Sequence, residues 1–105
     1  MKILFLGDVV GRSGRSAVIK HLPSLIKENL IDFSIVNAEN ATSGMGLSAK
    51  HAKEILEIGA NCITLGDHAF DQKDMLQFIE QEDRILRPLN FSKSAPGKGL
   101  SLIHI

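Results

Sequence analysis

The sequence predicts an α/β fold in which flanking helices connect the strands of a parallel sheet, in the order βαβαβαβ. Three apolar, β-branched runs within the first 70 residues each end in a short polar turn. These turns contain Asp8, Glu39 and Asp67, which are separated by 31 and 28 residues. Each interval suits one strand and one return helix, so the three strands should be parallel and share one carboxyl edge. Ligands bind at that edge in open α/β sheets.

The first strand is predicted at about residues 2–7, where the run is almost continuously apolar. This pattern favours a central strand that is covered on both faces. A helix should follow at about residues 14–29, with Val18, Leu22, Leu25 and Ile26 on one face. Pro23 lies inside it and should kink the helix or split it in two, because proline lacks an N–H donor and crowds the preceding turn.

The second strand is predicted at residues 33–37, followed by a helix with Ser48 as its N-cap and Gly59 just beyond its end. The third strand should span residues 61–65. Asp71 is then predicted to cap a short helix that buries Met75, Phe78 and Ile79.

The last third of the chain carries weaker signals. Residues 84–86 form a short predicted strand that Pro88 stops, and residues 94–99 have the composition of a turn. One more short strand is expected at residues 100–105.

Composition limits the classes of protein that remain. A chain of 105 residues with 44% hydrophobic content suits a single domain. Twelve basic and twelve acidic residues cancel, so we expect no dedicated nucleic-acid surface and no membrane surface. The single cysteine, Cys62, falls in a predicted strand as buried filler and fits a reducing cytoplasm. The sequence begins with a strand pattern rather than a signal peptide, which also favours a cytoplasmic location.

Asp8, Glu39 and Asn40 are the first candidate metal ligands. Three acids at one sheet edge repel one another unless a cation lies between them. Asp8 has an alternative role as the N-cap of the following helix. Glu39 gains nothing from packing there, and its carboxylate can bridge two cations, while the Asn40 amide offers a neutral oxygen to a metal or holds a substrate phosphate.

Asp67 and His68 place a hard oxygen ligand beside a group that titrates near neutrality. Asp67 is therefore a candidate metal ligand, and His68 a candidate general acid or metal ligand. Asp71 completes the turn, but as a helix cap it needs no catalytic role.

Two glycine-rich loops and two further histidines carry weaker signals. The loop at residues 7–15 fits neither the dinucleotide fingerprint nor the P-loop, although its Arg12 is available for a phosphate oxygen. Residues 42–46 suit either a flexible segment that closes over a substrate or an ordinary βα loop. His21 and His51 fall within helices, where we expect them on solvated faces.

Five motifs, taken together, resemble the YmdB-like branch of the calcineurin-like metallophosphoesterases. They occur in order over nearly the whole chain: Gly7-Asp8-Val9-Val10-Gly11, Asn37-Ala38-Glu39-Asn40, Gly66-Asp67-His68, Arg87-Pro88-Leu89-Asn90-Phe91 and Pro96-Gly97-Lys98-Gly99. The resemblance implies that residues 1–100 are the N-terminal part of a metallophosphoesterase domain, an α/β/β/α sandwich. It also implies a dinuclear phosphodiesterase acting on a small phosphodiester, 2′,3′-cyclic nucleotides above all.

The resemblance implies a role for each site residue. Asp8 would bind one metal, Asp67 would bind the second and Glu39 would bridge both. Asn40 would be a further metal ligand. His68 would protonate the leaving oxygen. Two Mn²⁺ or iron ions are expected, with Mg²⁺ as an alternative. The sequence does not determine whether the full-length protein forms a homo-oligomer.

The chain departs from the family pattern in two ways. The family usually has asparagine where this chain has Asp67, which adds negative charge to the metal site. The chain also stops before the family's downstream histidine loops, and residues 101–105 resemble a translated sequencing adaptor rather than a native tail. We therefore expect an N-terminal fragment that is inactive alone. Two alternatives are a receiver-like module that binds Mg²⁺ or a nucleotide without catalysis, and an inert fragment.

Overall fold

A computed structural model describes residues 1–103 and confirms the predicted α/β class. Four strands form one sheet in the order β1-β2-β3-β4, and each pairs in parallel with the next. The elements along the chain are β1 Ile3–Leu6, α1 Gly11–Asn29, β2 Phe33–Asn37, α2 Ala49–Glu57, β3 Cys62–Thr64, α3 Met75–Gln81 and β4 Ile85–Leu86.

Sequential parallel strands with right-handed crossovers place their connecting helices on the same side of the sheet. We call this side the covered face. Its strand residues are Leu4, Leu6, Ser34, Val36, Ile63 and Ile85, which are buried or partly buried. The hydrophobic core forms where this face meets the buried residues of the helices, which include Val18, Leu22, Ile55, Met75 and Ile79.

The opposite side, which we call the open face, consists of Ile3, Phe5, Phe33, Ile35, Asn37, Cys62, Thr64 and Leu86. Ile3 and Phe5 remain 54% and 58% exposed. A groove of about 210 Å³ crosses this face, and Ser101 and Ile103 form part of its wall. Within residues 1–103, no helix packs on this side of the sheet.

The prediction that β1 is a central strand covered on both faces was wrong for the described residues. β1 is an edge strand, and its side chains alternate between exposed and partly buried. An apolar run shows that a strand needs covering, but it does not show whether the cover lies within the same stretch of chain.

Of the two outcomes predicted for Pro23, a kink or a split, the split does not occur, because α1 is a single helix that already begins at Gly11. Pro23 lies on the exposed side of α1. Ile19, whose carbonyl lacks a helical N–H donor because residue 23 is a proline, is also exposed. Residues 100–103 form no strand, and the remainder of that predicted strand, residues 104–105, lies outside the described residues.

Other sequence predictions agree with the structure. β2 has the predicted bounds, β3 and β4 are each shorter than predicted, and Ser48 caps α2 by accepting a hydrogen bond from the His51 N–H at 3.3 Å. Cys62 is buried, and burial raises the pKa of its thiol. No described helix combines the length and apolar character that crossing a bilayer requires.

Candidate functional site at the carboxyl edge of the sheet

The loops that follow β1, β2 and β3 lie side by side at one edge of the sheet. The Gly11 N–H donates to the Asn40 carbonyl at 3.0 Å, joining the first loop to the second. The Ala38 N–H donates to the Thr64 carbonyl at 3.0 Å, joining the second loop to the end of β3. The parallel register therefore brings the loops of Asp8, Glu39 and Asp67 to the same edge, as the spacing predicts.

Asp8 is exposed and has a positive φ of 57°, which is uncommon for a residue other than glycine but tolerated by aspartate. Its alternative role as a helix cap is excluded. The N-cap of α1 is Val10, and no side chain caps that helix. The carboxylate of Asp8 thus remains available at the sheet edge.

Within residues 1–103, the carboxylate of Glu39 lacks the hydrogen-bond or ionic partner that a buried charge requires. The residue is half-buried, but its Oε2 atom is fully buried and accepts no hydrogen bond from the described residues. The carboxylate lies directly against Gly66, where any Cβ atom would overlap its oxygens. A buried charged group without a partner costs more than about 1 to 3 kcal/mol, so this arrangement suits a carboxylate that binds a cation.

His68 is bound to Asp71 rather than standing alone. Its Nδ1 lies 2.8 Å from Asp71 Oδ2, and both side chains contact solvent. The hydrogen bond to Asp71 raises the pKa of His68, and the charges of Asp67 and Glu39 act in the same direction.

The predicted capping role of Asp71 was wrong. α3 begins at Met75, its N-cap is Asp74, and neither Asp71 nor any other side chain caps it. Asp71 instead orients His68, which the sequence analysis missed. The spacing of three residues within a turn is the signal that could have revealed this contact.

His51 was wrongly predicted to lie on a solvated face. It is half-buried, and its Nδ1 is 2.7 Å from the Thr42 hydroxyl. His21 is exposed, as predicted, and so is Arg12 in the first turn of α1. Asp67 also faces solvent.

The site is only partly assembled in this chain. Among residues 1–103, no three His, Cys, Asp or Glu side chains lie close enough together to enclose a metal ion. The oxygen donors and the orphaned Glu39 oxygen fit one side of a metal site, and further ligands would be needed to close it.

Comparisons with known proteins agree with this geometry. Residues 4–105 match the family described as YmdB-like protein. The chain is 41% identical over 103 residues to the Bacillus subtilis 2′,3′-cyclic-nucleotide 2′-phosphodiesterase, covering 98% of this chain and 39% of that protein. It is 38% identical over 109 residues to a putative phosphatase/phosphodiesterase of Mycoplasma genitalium, covering 100% of this chain and 39% of that one.

Two solved structures share the fold. A hypothetical protein from Thermus thermophilus superposes with a TM-score of 0.92 at 38% identity, covering 100% of this chain and 40% of that one. A phosphatase from Mycoplasma pneumoniae gives a TM-score of 0.86 at 41% identity, covering 94% and 37%. The chain thus spans about 40% of the length of the relatives it matches.

The fold and the loop residues together define an α/β protein with acidic residues in the loops at the carboxyl edge of a parallel sheet. Within that class, the chain belongs to the YmdB-like protein family.

Proposed function

We propose that the whole protein, at the length of its relatives, is a dinuclear metal-dependent phosphodiesterase whose substrates are 2′,3′-cyclic nucleotides. The observation that carries this proposal is the buried Glu39 oxygen, which has no hydrogen-bond partner among the described residues and lies against Gly66. The reaction class is that of two relatives, a 2′,3′-cyclic-nucleotide 2′-phosphodiesterase and a putative phosphatase/phosphodiesterase.

Four residues would hold the metals. Asp8 and Asp67 would each bind one ion, Glu39 would bridge both, and Asn40 would add a neutral oxygen. Two bound Mn²⁺ or iron ions, or Mg²⁺ as the alternative, would offset the phosphate charge and make a water molecule more acidic. The remaining ligands would come from chain beyond these residues.

The protein side chains would handle the substrate and its proton. His68 would donate the proton from Nε2 to the departing ribose oxygen, because Asp71 engages Nδ1. General acid catalysis of this kind contributes roughly 10²- to 10⁴-fold. Arg12, in the first turn of α1, would bind a phosphate oxygen.

The strand order argues against the receiver-like alternative. Receiver-type folds place β1 between β2 and β3. Here β2 pairs directly with β3, and β1 lies outside that pair.

Substituting Glu39 in the full-length protein tests this proposal. We expect Mn²⁺-dependent hydrolysis of an aryl phosphodiester and of 2′,3′-cyclic AMP, with Glu39→Gln lowering turnover by at least about 10²-fold because a metal-supporting charge is lost. Glu57→Gln changes an exposed glutamate of α2 in the same way and should have no effect. Activity that persists in Glu39→Gln, or that needs no metal, would contradict the proposal.

We also propose that the 105-residue chain has no turnover by itself. Its partial ligand set would leave cations loosely held, and displacements of about 1 Å already cost around 10²-fold in rate. The chain should match the background rate with Mn²⁺ present. Metal-dependent turnover by this chain that disappears in its own Glu39→Gln variant would show instead that the partial site suffices.

A further inference from the structure

The segment that follows Asn40 is held in place by backbone hydrogen bonds. The Asn40 carbonyl accepts from the Gly11 and Gly44 N–H groups, each at 3.0 Å. The Thr42 N–H donates to the Gly46 carbonyl at 2.9 Å, closing the turn. Gly46, with a φ of 80°, packs so closely on the His68 carbonyl that a Cβ atom would come within 2.8 Å of it. The turn at residues 42–46 thus links Asn40 to the loop of His68.

The Thr42 side chain fastens this turn to α2. Its Oγ1 accepts from the Ser48 N–H at 2.8 Å and lies 2.7 Å from Nδ1 of His51. The hydroxyl can accept from the Ser48 N–H and donate its own proton to Nδ1 at the same time. In that arrangement the imidazole is neutral and carries its proton on Nε2.

The surroundings of His51 favour that neutral form. Burial lowers the pKa of His51, and the positive charge of Arg15 lowers it further. Arg15 also donates from Nη1 to the Ala41 carbonyl at 2.6 Å, on the α1 side of the segment. Residues 41 and 42, directly after Asn40, are therefore fastened to both α1 and α2.

We propose, building on the function proposed above, that Thr42 and His51 are a positioning pair that sets the location of Asn40 and of the turn linking it to His68. Neither residue is a metal ligand. They act by fixing the backbone position of residues 41 and 42, and through it the position of the Asn40 side-chain amide. Among the described residues, no hydrogen bond joins either side chain to the Asn40 amide, so the effect of substituting them should not exceed the roughly 10- to 100-fold seen for groups bonded directly to a metal ligand.

The test compares four variants of the full-length protein and one control variant. Thr42→Val, which keeps the side-chain shape and removes the hydroxyl, should lower turnover and apparent Mn²⁺ affinity by about 10- to 100-fold, and Thr42→Ser should restore both. His51→Ala removes only the contact with Thr42, whereas Thr42→Val also removes the acceptor of the Ser48 N–H, so His51→Ala should lose less than Thr42→Val. The double variant should lose no more than Thr42→Val alone, because the Thr42–His51 contact is already broken in that variant.

Ser48→Ala is the matched control for helix stability. It removes the α2 cap, a hydrogen bond from the His51 N–H to Ser48 Oγ, but leaves the Ser48 N–H and the Thr42–His51 contact in place. It should lower the melting temperature while turnover stays near that of the unsubstituted protein. A Thr42→Val protein with unchanged turnover, or losses in the two single variants that add fully, would overturn the inference.

Amide hydrogen exchange at Gly44, whose N–H donates to the Asn40 carbonyl, provides a readout that does not depend on activity. Thr42→Val should speed exchange there by about 10-fold or more through local opening, and Ser48→Ala should not. If the unsubstituted protein has no phosphodiesterase activity, the proposed function fails, and the Gly44 rate still decides whether Thr42 holds Asn40. An unchanged rate would overturn the positioning role even in an active enzyme.

Discussion

The covered and open faces of the sheet are built from alternating residues of the same four strands, yet their surroundings differ sharply. On the covered face, Val36 and Ile63 are completely buried. On the open face, Ile3 and Phe5 keep more than half of their surface exposed. The difference has two sources: within the described part of the chain, helices pack on the covered face only, and Ile3 and Phe5 lie on the edge strand β1 whereas Val36 and Ile63 lie on inner strands.

This asymmetry is unusual for a parallel sheet, which ordinarily is buried on both faces. Side-chain alternation means that each strand offers half of its residues to each side. The described chain supplies helices for one side only. Since the solved relatives are more than twice as long as this chain, we expect the whole protein to cover the open face as well.

The largest difference in free energy of unfolding is expected when an isoleucine is replaced by alanine on each face in turn. Ile63→Ala on the covered face should lower the free energy of unfolding by about 2 to 5 kcal/mol, because it leaves a cavity in a packed core. Ile3→Ala on the open face should cost less than about 1 kcal/mol, since its side chain is already 54% exposed. Denaturant unfolding of both variants measures the difference, and equal losses would show that the open face is packed in solution.

A smaller effect is expected from making the open face polar. The 105-residue chain should bind a hydrophobic dye, because Ile3, Phe5 and the groove present apolar surface to water. Phe5→Lys should reduce dye fluorescence and change the free energy of unfolding by only about 0.5 kcal/mol. Absence of dye binding by the unsubstituted chain would contradict an open face.

The smallest effect is expected at the rim of the open face, where Arg84 lines the groove and donates to Glu82 from Nη2 at 2.7 Å. This hydrogen bond lowers the pKa of Glu82. The stabilisation is therefore complete above the unfolded pKa of 4.5 and disappears as the pH falls through the lower folded value. Because Arg84 is half-exposed, we expect this hydrogen bond to contribute only about 0.3 kcal/mol to the free energy of unfolding.

Glu82→Gln checks this pH dependence. The variant should be slightly less stable than the unsubstituted chain at about pH 7, and the two should converge in acid, where Glu82 is protonated. A difference in unfolding free energy that grew as the pH fell would reverse the expected sign.

Much of the site could be predicted from sequence because it depends on strand periodicity. Apolar runs ending in polar turns, repeated at βα spacing, place the loops of Asp8, Glu39 and Asp67 at one edge. The family motifs add further constraints over almost the whole chain. The apolar runs and the motifs are local, and the shared edge follows from the parallel direction of the strands. Predicting them does not require knowledge of loop conformation.

Features of the molecule differ in whether the sequence alone determined them or whether they depended on contacts between loops and helices. The sequence alone determined the fold class, the edge that carries the acids and the Ser48 cap, because periodicity and capping act over a few residues. Only the tertiary structure decided that Asp71 orients His68, that Thr42 contacts His51 and that Glu39 rests on Gly66. It also decided that one face of the sheet stays open. Such contacts depend on backbone turns and on which layers pack together, and neither has a periodic signal in the sequence.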